Sequence, residues 1–177
     1  MTYTATWNAA FSKPLLNQTI AIIQRDQISA IALVNPALAP INEFHKGPAV
    51  RTAFPWLILS ADQIEFDVSS PWTRSWSSAL TLALETGQYD QEMAQDNAQD
   101  YTRALDMILT TASGADWTTA LPIVHETIPA GITTPPAAGS VKSIFVKSHR
   151  YSLVTRAGID VPVMQAMLTV IFKSQET

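Results

Sequence analysis

DQEMAQDNAQDYTRALDMIL, residues 90–109, is the stretch that decides the fold. Ala94, Ala98, Tyr101, Leu105, Ile108 and Leu109, continuing to Ala112, recur mostly at steps of three and four, which gathers them on one stripe of an α-helix. Gln91, Glu92, Gln95, Asp96, Gln99, Asp100 and Asp106 fill the other faces, and acids near the start suit the positive end of the helix dipole. Asp90 is the expected N-cap and Ser113-Gly114 the expected end. Such a stripe needs a flat apolar partner, so this helix is expected to lie on one face of a sheet.

The partner strands stand on both sides of it. Upstream, Trp56-Leu57-Ile58-Leu59 is followed by alternating Ile64, Phe66 and Val68, consistent with one strand bulged at Ala61-Asp62. Residues 69–75 form a turn. From Trp76 to Thr86, Leu80, Leu82 and Leu84 point one way while Ala79, Thr81, Ala83 and Glu85 point the other, so 56–86 reads as a β-hairpin. Downstream, strict alternation over 141–155 puts Ile144, Val146, Ser148, Arg150 and Ser152 on one side and Phe145, Lys147, His149, Tyr151 and Leu153 on the other. After a turn at Ala157-Gly158, the last strand spans 161–173, with Met164, Ala166, Leu168, Val170 and Phe172 on one face. Its other face carries Val163, Gln165, Met167, Thr169 and Ile171. A strand this apolar on both sides is central in its sheet, or has one face covered by another subunit.

Ahead of the hairpin, Ser12 and Pro14 mark a helix start. Leu15, Leu16, Thr19, Ile20, Ile23, Gln27, Ala30, Ile31 and Val34 then form one helical face, which ends at Asn35-Pro36. Residues 1–11 read as an arm, and 35–55 and 115–140 as long proline-studded loops. The expectation is one α+β domain over 1–177: four or more mostly antiparallel strands against two main α-helices, in the order α-β-β-α-β-β.

Composition narrows the function classes. Apolar residues are 47% of the 177, enough for a large core and incompatible with disorder. Charged residues are 15%, against about 25% in ordinary soluble domains. So thin a charge layer points either to a surface covered by a partner or to a neutral skin of Thr, Ser and Gln. With a net charge of −4 and no cluster of Lys or Arg, specific nucleic-acid binding is not expected. No cysteine is present, so disulfides and thiolate metal sites are ruled out. Neither a secretory signal nor a membrane-length apolar run stands out, so a soluble protein made in the cytoplasm is expected.

Chemistry leaves few traces. Phosphate loops, nucleophile elbows and zinc helices are missing, and Pro129 stands where the second histidine of a motif begun by His125-Glu126 would be. His45, His125 and His149 are far apart in sequence. Neither catalysis nor a cofactor or metal is expected; a ligand site would need His149, Arg150 and Glu85 to converge. Trp72, Arg74 and Trp76 at the hairpin tip read either as an interface hot spot or as side chains packed onto the sheet edge. Gln165, Met167, Thr169 and Ile171 are the other candidate interface residues.

With that order of elements, the chain resembles the tail-terminator (tail-completion, minor tail protein U-like) proteins of long-tailed bacteriophages. The likeness is carried by the opening helix, by PWLIL and ALTLALETG in the hairpin, by residues 90–109, and by SIFVKSHRYSLVT with VPVMQAMLTVIFK in the closing pair. It runs from about Leu15 to Phe172 and has no signature motif. The resemblance implies a virion component of the tail or neck, usually a hexameric ring. That ring ends tube growth and contacts both the tail tube protein and the head–tail connector. Other neck and tube proteins share parts of this build. A heterologous ring needs two different patches on each subunit, and the two-sided last strand with its thinly charged surroundings offers material for them.

Overall fold

A computed structural model describes residues 7–47, 53–67, 75–110, 122–123 and 139–176. The element order is α1 (Trp7–Val34), β1 (Glu43–Lys46), β2 (Trp56–Asp67), β3 (Ser75–Gly87), α2 (Gln91–Thr110), β4 (Pro122–Ile123), β5 (Gly139–Val154) and β6 (Val163–Glu176). The strands form a six-stranded mixed sheet in the order β1-β2-β3-β6-β5-β4. All pairs are antiparallel except β1 with β2. This is the expected α+β class, with two short strands, β1 and β4, added.

The helices lie on one face of the sheet, α2 over β3, β6 and β5, and α1 beside α2 and over β2. The α2 stripe is buried at Ala94, Ala98, Tyr101, Leu105, Ile108 and Leu109; Ala112 lies outside the described residues. It meets inward rows in which Leu59, Leu82 and Leu168 stand opposite one another across three strands, all fully buried. Asp90 caps α2 as expected, accepting from the Glu92 N–H at 2.9 Å. Leu15, Thr19, Ile22, Ile23, Ala30 and Ile31 are the buried face of α1.

Three expectations change. Helix α1 begins at Trp7, not after Ser12, so residues 7–11 of the expected arm are helical and Pro14 sits inside the helix. An interior proline forgoes the backbone hydrogen bond its N–H would have donated and crowds the carbonyl four residues back, which is why the sequence alone places it in a first turn. The loop expected over 35–55 contains β1, which EFHK, with a single apolar residue, does not announce. Gln27 sets its place: this buried side chain accepts from the Ile41 N–H at 2.7 Å and donates to the Ile41 carbonyl at 3.5 Å. Gly47 leaves β1 at φ 90°, a conformation that suits glycine.

The third change is in β5. Strict alternation fails at Lys147, where the pairing with β6 shifts between Val146 and Ser148. Ile144 and Val146 face the helices opposite Phe172 and Val170, but beyond the bulge His149, Tyr151 and Leu153 take over that face. Phe145, Ser148, Arg150 and Ser152 therefore share the other side. The expected bulge near Ala61-Asp62 is present in β2.

Tyr101 and Gln27 together hold the α1–β1 connection. The Tyr101 hydroxyl donates to the Ala39 carbonyl at 2.6 Å, and burial pushes its pKa up to about 12. Replacing Gln27 by Met keeps the volume but strands two buried backbone groups. Urea unfolding of Gln27→Met is expected to show a loss of about 2 kcal/mol.

Candidate functional site

Among the described residues, helices cover only one face of the sheet. On the other, the register aligns Ile58, Ala83, Met167 and Arg150 in one row and Ser60, Thr81, Thr169 and Ser148 in the next, with Gln63, Ala79, Ile171 and Phe145 beyond. The central side chains are half-buried, and Phe145, Ser148 and Arg150 are exposed. Small residues on β3 make this surface flat. Of its central apolar groups, Ile171 stands between Ala79 and Phe145, and Met167 between Ala83 and the exposed Arg150, which brings one charge to the β5 side of the row. Phe145 has Lys173 Nζ above its ring, 5.8 Å from the centroid.

One end of this face is closed by a buried carboxylate. Glu85, the last acid of β3, is fully buried. It accepts from Trp56 Nε1 at 2.9 Å, Arg156 Nε at 3.0 Å and Gln165 Nε2 at 2.7 Å, and from a second Arg156 nitrogen. Phe54 stacks on Trp56 with centroids 4.0 Å apart. Gly87 leaves room for that ring, since a Cβ there would stand 2.5 Å from the Phe54 edge. Burial alone would raise the Glu85 pKa. The donors, led by Arg156 and followed by Gln165 and Trp56, outweigh it and hold the carboxyl below its ordinary value. The cluster ties together the start of β2, the end of β3, the start of β6 and the β5–β6 turn. Its acceptors are filled, so it serves as a clamp.

The expected sites fare differently. Trp72 and Arg74 lie outside the described residues. Trp76 is only 4% exposed and belongs to the core, because it faces the helices opposite small Ser174; it is not surface available to a partner. Gln165, Met167, Thr169 and Ile171 share the uncovered face, with Gln165 also committed to Glu85. His149, Arg150 and Glu85 do not converge: His149 is on the helix side, Arg150 is exposed, and Glu85 is sealed. His45 pairs with Glu43 at 2.9 Å. His125 lies outside the described residues. Among the described residues, no group of three or more His, Asp or Glu could hold a metal ion, and no helix is long and apolar enough to cross a membrane. Sequence reasoning missed Arg156 and Phe54. The available signal was Glu85, an acid in an otherwise neutral row.

A groove of about 420 Å³ runs between the α1–β1 connection and the start of α2, lined by Leu38, Phe54, Pro55, Met93, Asn97 and Tyr101 among others. A second, of about 360 Å³, lies between the two helices beside Leu33. Neither gathers ionised groups in a catalytic arrangement.

No family model matches the chain, and no curated protein matches it. Among the solved chains that are similar, two have low identity. One, from the virion of a native gene transfer agent particle, has 13% identity and a TM-score of 0.48, over 83% of this chain and 92% of its own. The other has 10% identity and a TM-score of 0.31, over 91% of this chain and 95% of its own. Any functional reading therefore rests on the sheet and its surfaces.

The Glu85 clamp predicts a pH dependence. Its folded pKa lies below the ordinary 4.5, so its contribution to stability is present above about pH 4.5 and is lost as the pH falls through the folded value. Urea midpoints measured between pH 7 and 3 are expected to fall less steeply for Glu85→Gln than for the parent. Arg156→Ala strands the carboxylate and is expected to cost about 2 kcal/mol at pH 7. That is less than a wholly buried pair, because the Arg156 side chain is 32% exposed.

Proposed function

We propose that the chain is a structural, non-catalytic virion protein: a tail terminator that forms a hexameric ring at the head-proximal end of a phage tail tube. In that role it stops tube polymerisation and joins the tail to the head connector. It is made in the host cytoplasm and carried in the tail or neck. Its partners are further copies of itself, the tail tube protein and the head-closure protein.

The observation that carries this reading is the one-sided sheet. Two helices bury one face, while the other leaves Met167, Ile171 and Phe145 in a flat, nearly neutral field. A flat surface with little charge at its centre suits contact with protein better than contact with nucleic acid phosphates. With the short β1 and β4 set aside, the main elements keep the order α-β-β-α-β-β on which the resemblance was drawn.

Purified protein mixed with tail tubes tests the proposal by negative-stain microscopy. Caps at one tube end are expected. Decoration along the whole tube would favour a tube component, and bare tubes would remove the terminator role. On the uncovered face, Met167→Asp is expected to impair capping at least tenfold while shifting the thermal midpoint by only a few degrees, because Met167 is half-buried and outside the helix-covered core. Normal capping by that variant would show that the face makes no contact.

A further inference from the structure

Both long margins of the sheet are open, and they carry opposite charge. On one side β1 pairs only with Trp56–Leu59, so among the described residues the outer edge of β2 from 60 to 67 has no partner strand. On the other side β4 pairs only with Gly139 and Ser140, which leaves β5 from 141 onward equally open among the described residues. The β2 edge contains Asp62, Glu65 and Asp67 and no cation. On β5, which has no acid, Lys142 and Lys147 fall in the 141–148 stretch level with that edge, whereas His149 and Arg150 are level with Leu59 and Ile58, where β1 lies beside β2. Asp62, Glu65, Lys147 and Arg150 have exposed side chains.

We infer that copies of this chain join head to tail through these margins, the acidic β2 edge of one against the basic β5 edge of the next, continuing one sheet from subunit to subunit. This deepens the ring proposed above by naming its contact. Three features of the structure support it.

The first is direction. From β2 through β3 and β6 to β5 the pairing is antiparallel at each step, so β5 runs opposite to β2. Copies placed side by side with their strands aligned would therefore meet in antiparallel register, which supports a regular ladder. The second is level. Across the sheet, Ala61 aligns with Val146 through Leu80 and Val170, and Gln63 aligns with Phe145 through Ala79 and Ile171. The bulge at Asp62 and the bulge at Lys147 thus lie within about one residue of each other along the strand direction, and unstaggered copies bring the two charges together.

The third is sign. Cations and bulges on an edge strand commonly serve to keep it from pairing at all. A purely protective scheme works with either sign on either margin. Opposite signs make β5–β5 and β2–β2 contacts repulsive and β2–β5 contacts attractive, which selects the head-to-tail arrangement that a closed ring requires. The uncovered faces of successive copies then form one continuous surface for partner chains.

The chain has no cysteine, which permits a direct trap. Mild oxidation of a variant carrying both Asp62→Cys and Lys147→Cys is expected to give a disulfide ladder extending beyond the dimer. Each single-cysteine variant can reach no further than a dimer. A folded double variant, verified by circular dichroism, that yields nothing larger than a dimer overturns the inference. A second arm uses charge. Asp62→Lys with Glu65→Lys, and separately Lys142→Glu with Lys147→Glu, should each weaken self-association at least tenfold by light scattering at low salt. An equal mixture of the two should recover it, because each then offers the edge the other lacks. A mixture no better than either variant alone also overturns the inference. Tubes capped without a ladder would leave the terminator role standing and remove the edge contact; a ladder without capping would do the reverse.

Discussion

Helix α2 pressed onto the inward rows of β3 and β6 is the contact on which the rest of the molecule depends. The six buried residues of its stripe, from Ala94 to Leu109, meet a layer built largely from leucine, valine and alanine. Removing that apolar area from water is the main favourable term available to a domain with few charges and no disulfide. Small residues at Ala94 and Ala98 let the first turns of the helix approach the strands closely, and Tyr101 extends the contact to the α1–β1 connection through Ala39. Helix α1 then has a fixed wall to pack against, and Asn35 at its end donates to Asp100 of α2 at 2.8 Å.

Because both helices choose the same side, the sheet is complete in one direction only. Among the described residues nothing covers the far face, and two features suit it to that. Small side chains on β3 leave little apolar area exposed, and the Glu85 clamp pins the corner where three strands and a turn meet. A charge is worth burying there only because every acceptor position is used, with a guanidinium among the donors. The clamp thus ties β2, β3, β6 and the β5–β6 turn together at one end of that face. A flat wall with open margins is what a repeating assembly needs from its subunit.

Much of this was legible in the residues, and the failures have physical causes. Helix α2, the β2–β3 hairpin and the inward face of β6 follow from periodicity, because each is half-buried and its pattern records which half. Even the β2 bulge left a mark, as the apolar phase changes between Leu59 and Ile64. The β5 bulge left a fainter mark: the apolar phase changes from Ile144 and Val146 to Tyr151 and Leu153, but Phe145 and the polar residues between blur it, so alternation counted through Lys147 assigns the wrong faces beyond it. Strand β1 was invisible because its position comes from Gln27 and from parallel pairing, neither of which has a local period. Trp76 shows the limit of composition: tryptophan near a turn suggests a binding spot, yet the space above Ser174 draws it inward. The Glu85–Arg156 pair joins residues far apart in the chain, and only the fold could reveal it.

In the proposed assembly, the chain is an unfinished sheet that further copies complete. Amide hydrogen exchange of residues 60–67 and 141–148, compared between the free protein and the protein bound at tail tube ends, tests that most directly. Slow exchange at both margins on assembly, with the α2 and β6 amides already protected in the free state, is the predicted result. Margins that exchange equally fast in both states would contradict it.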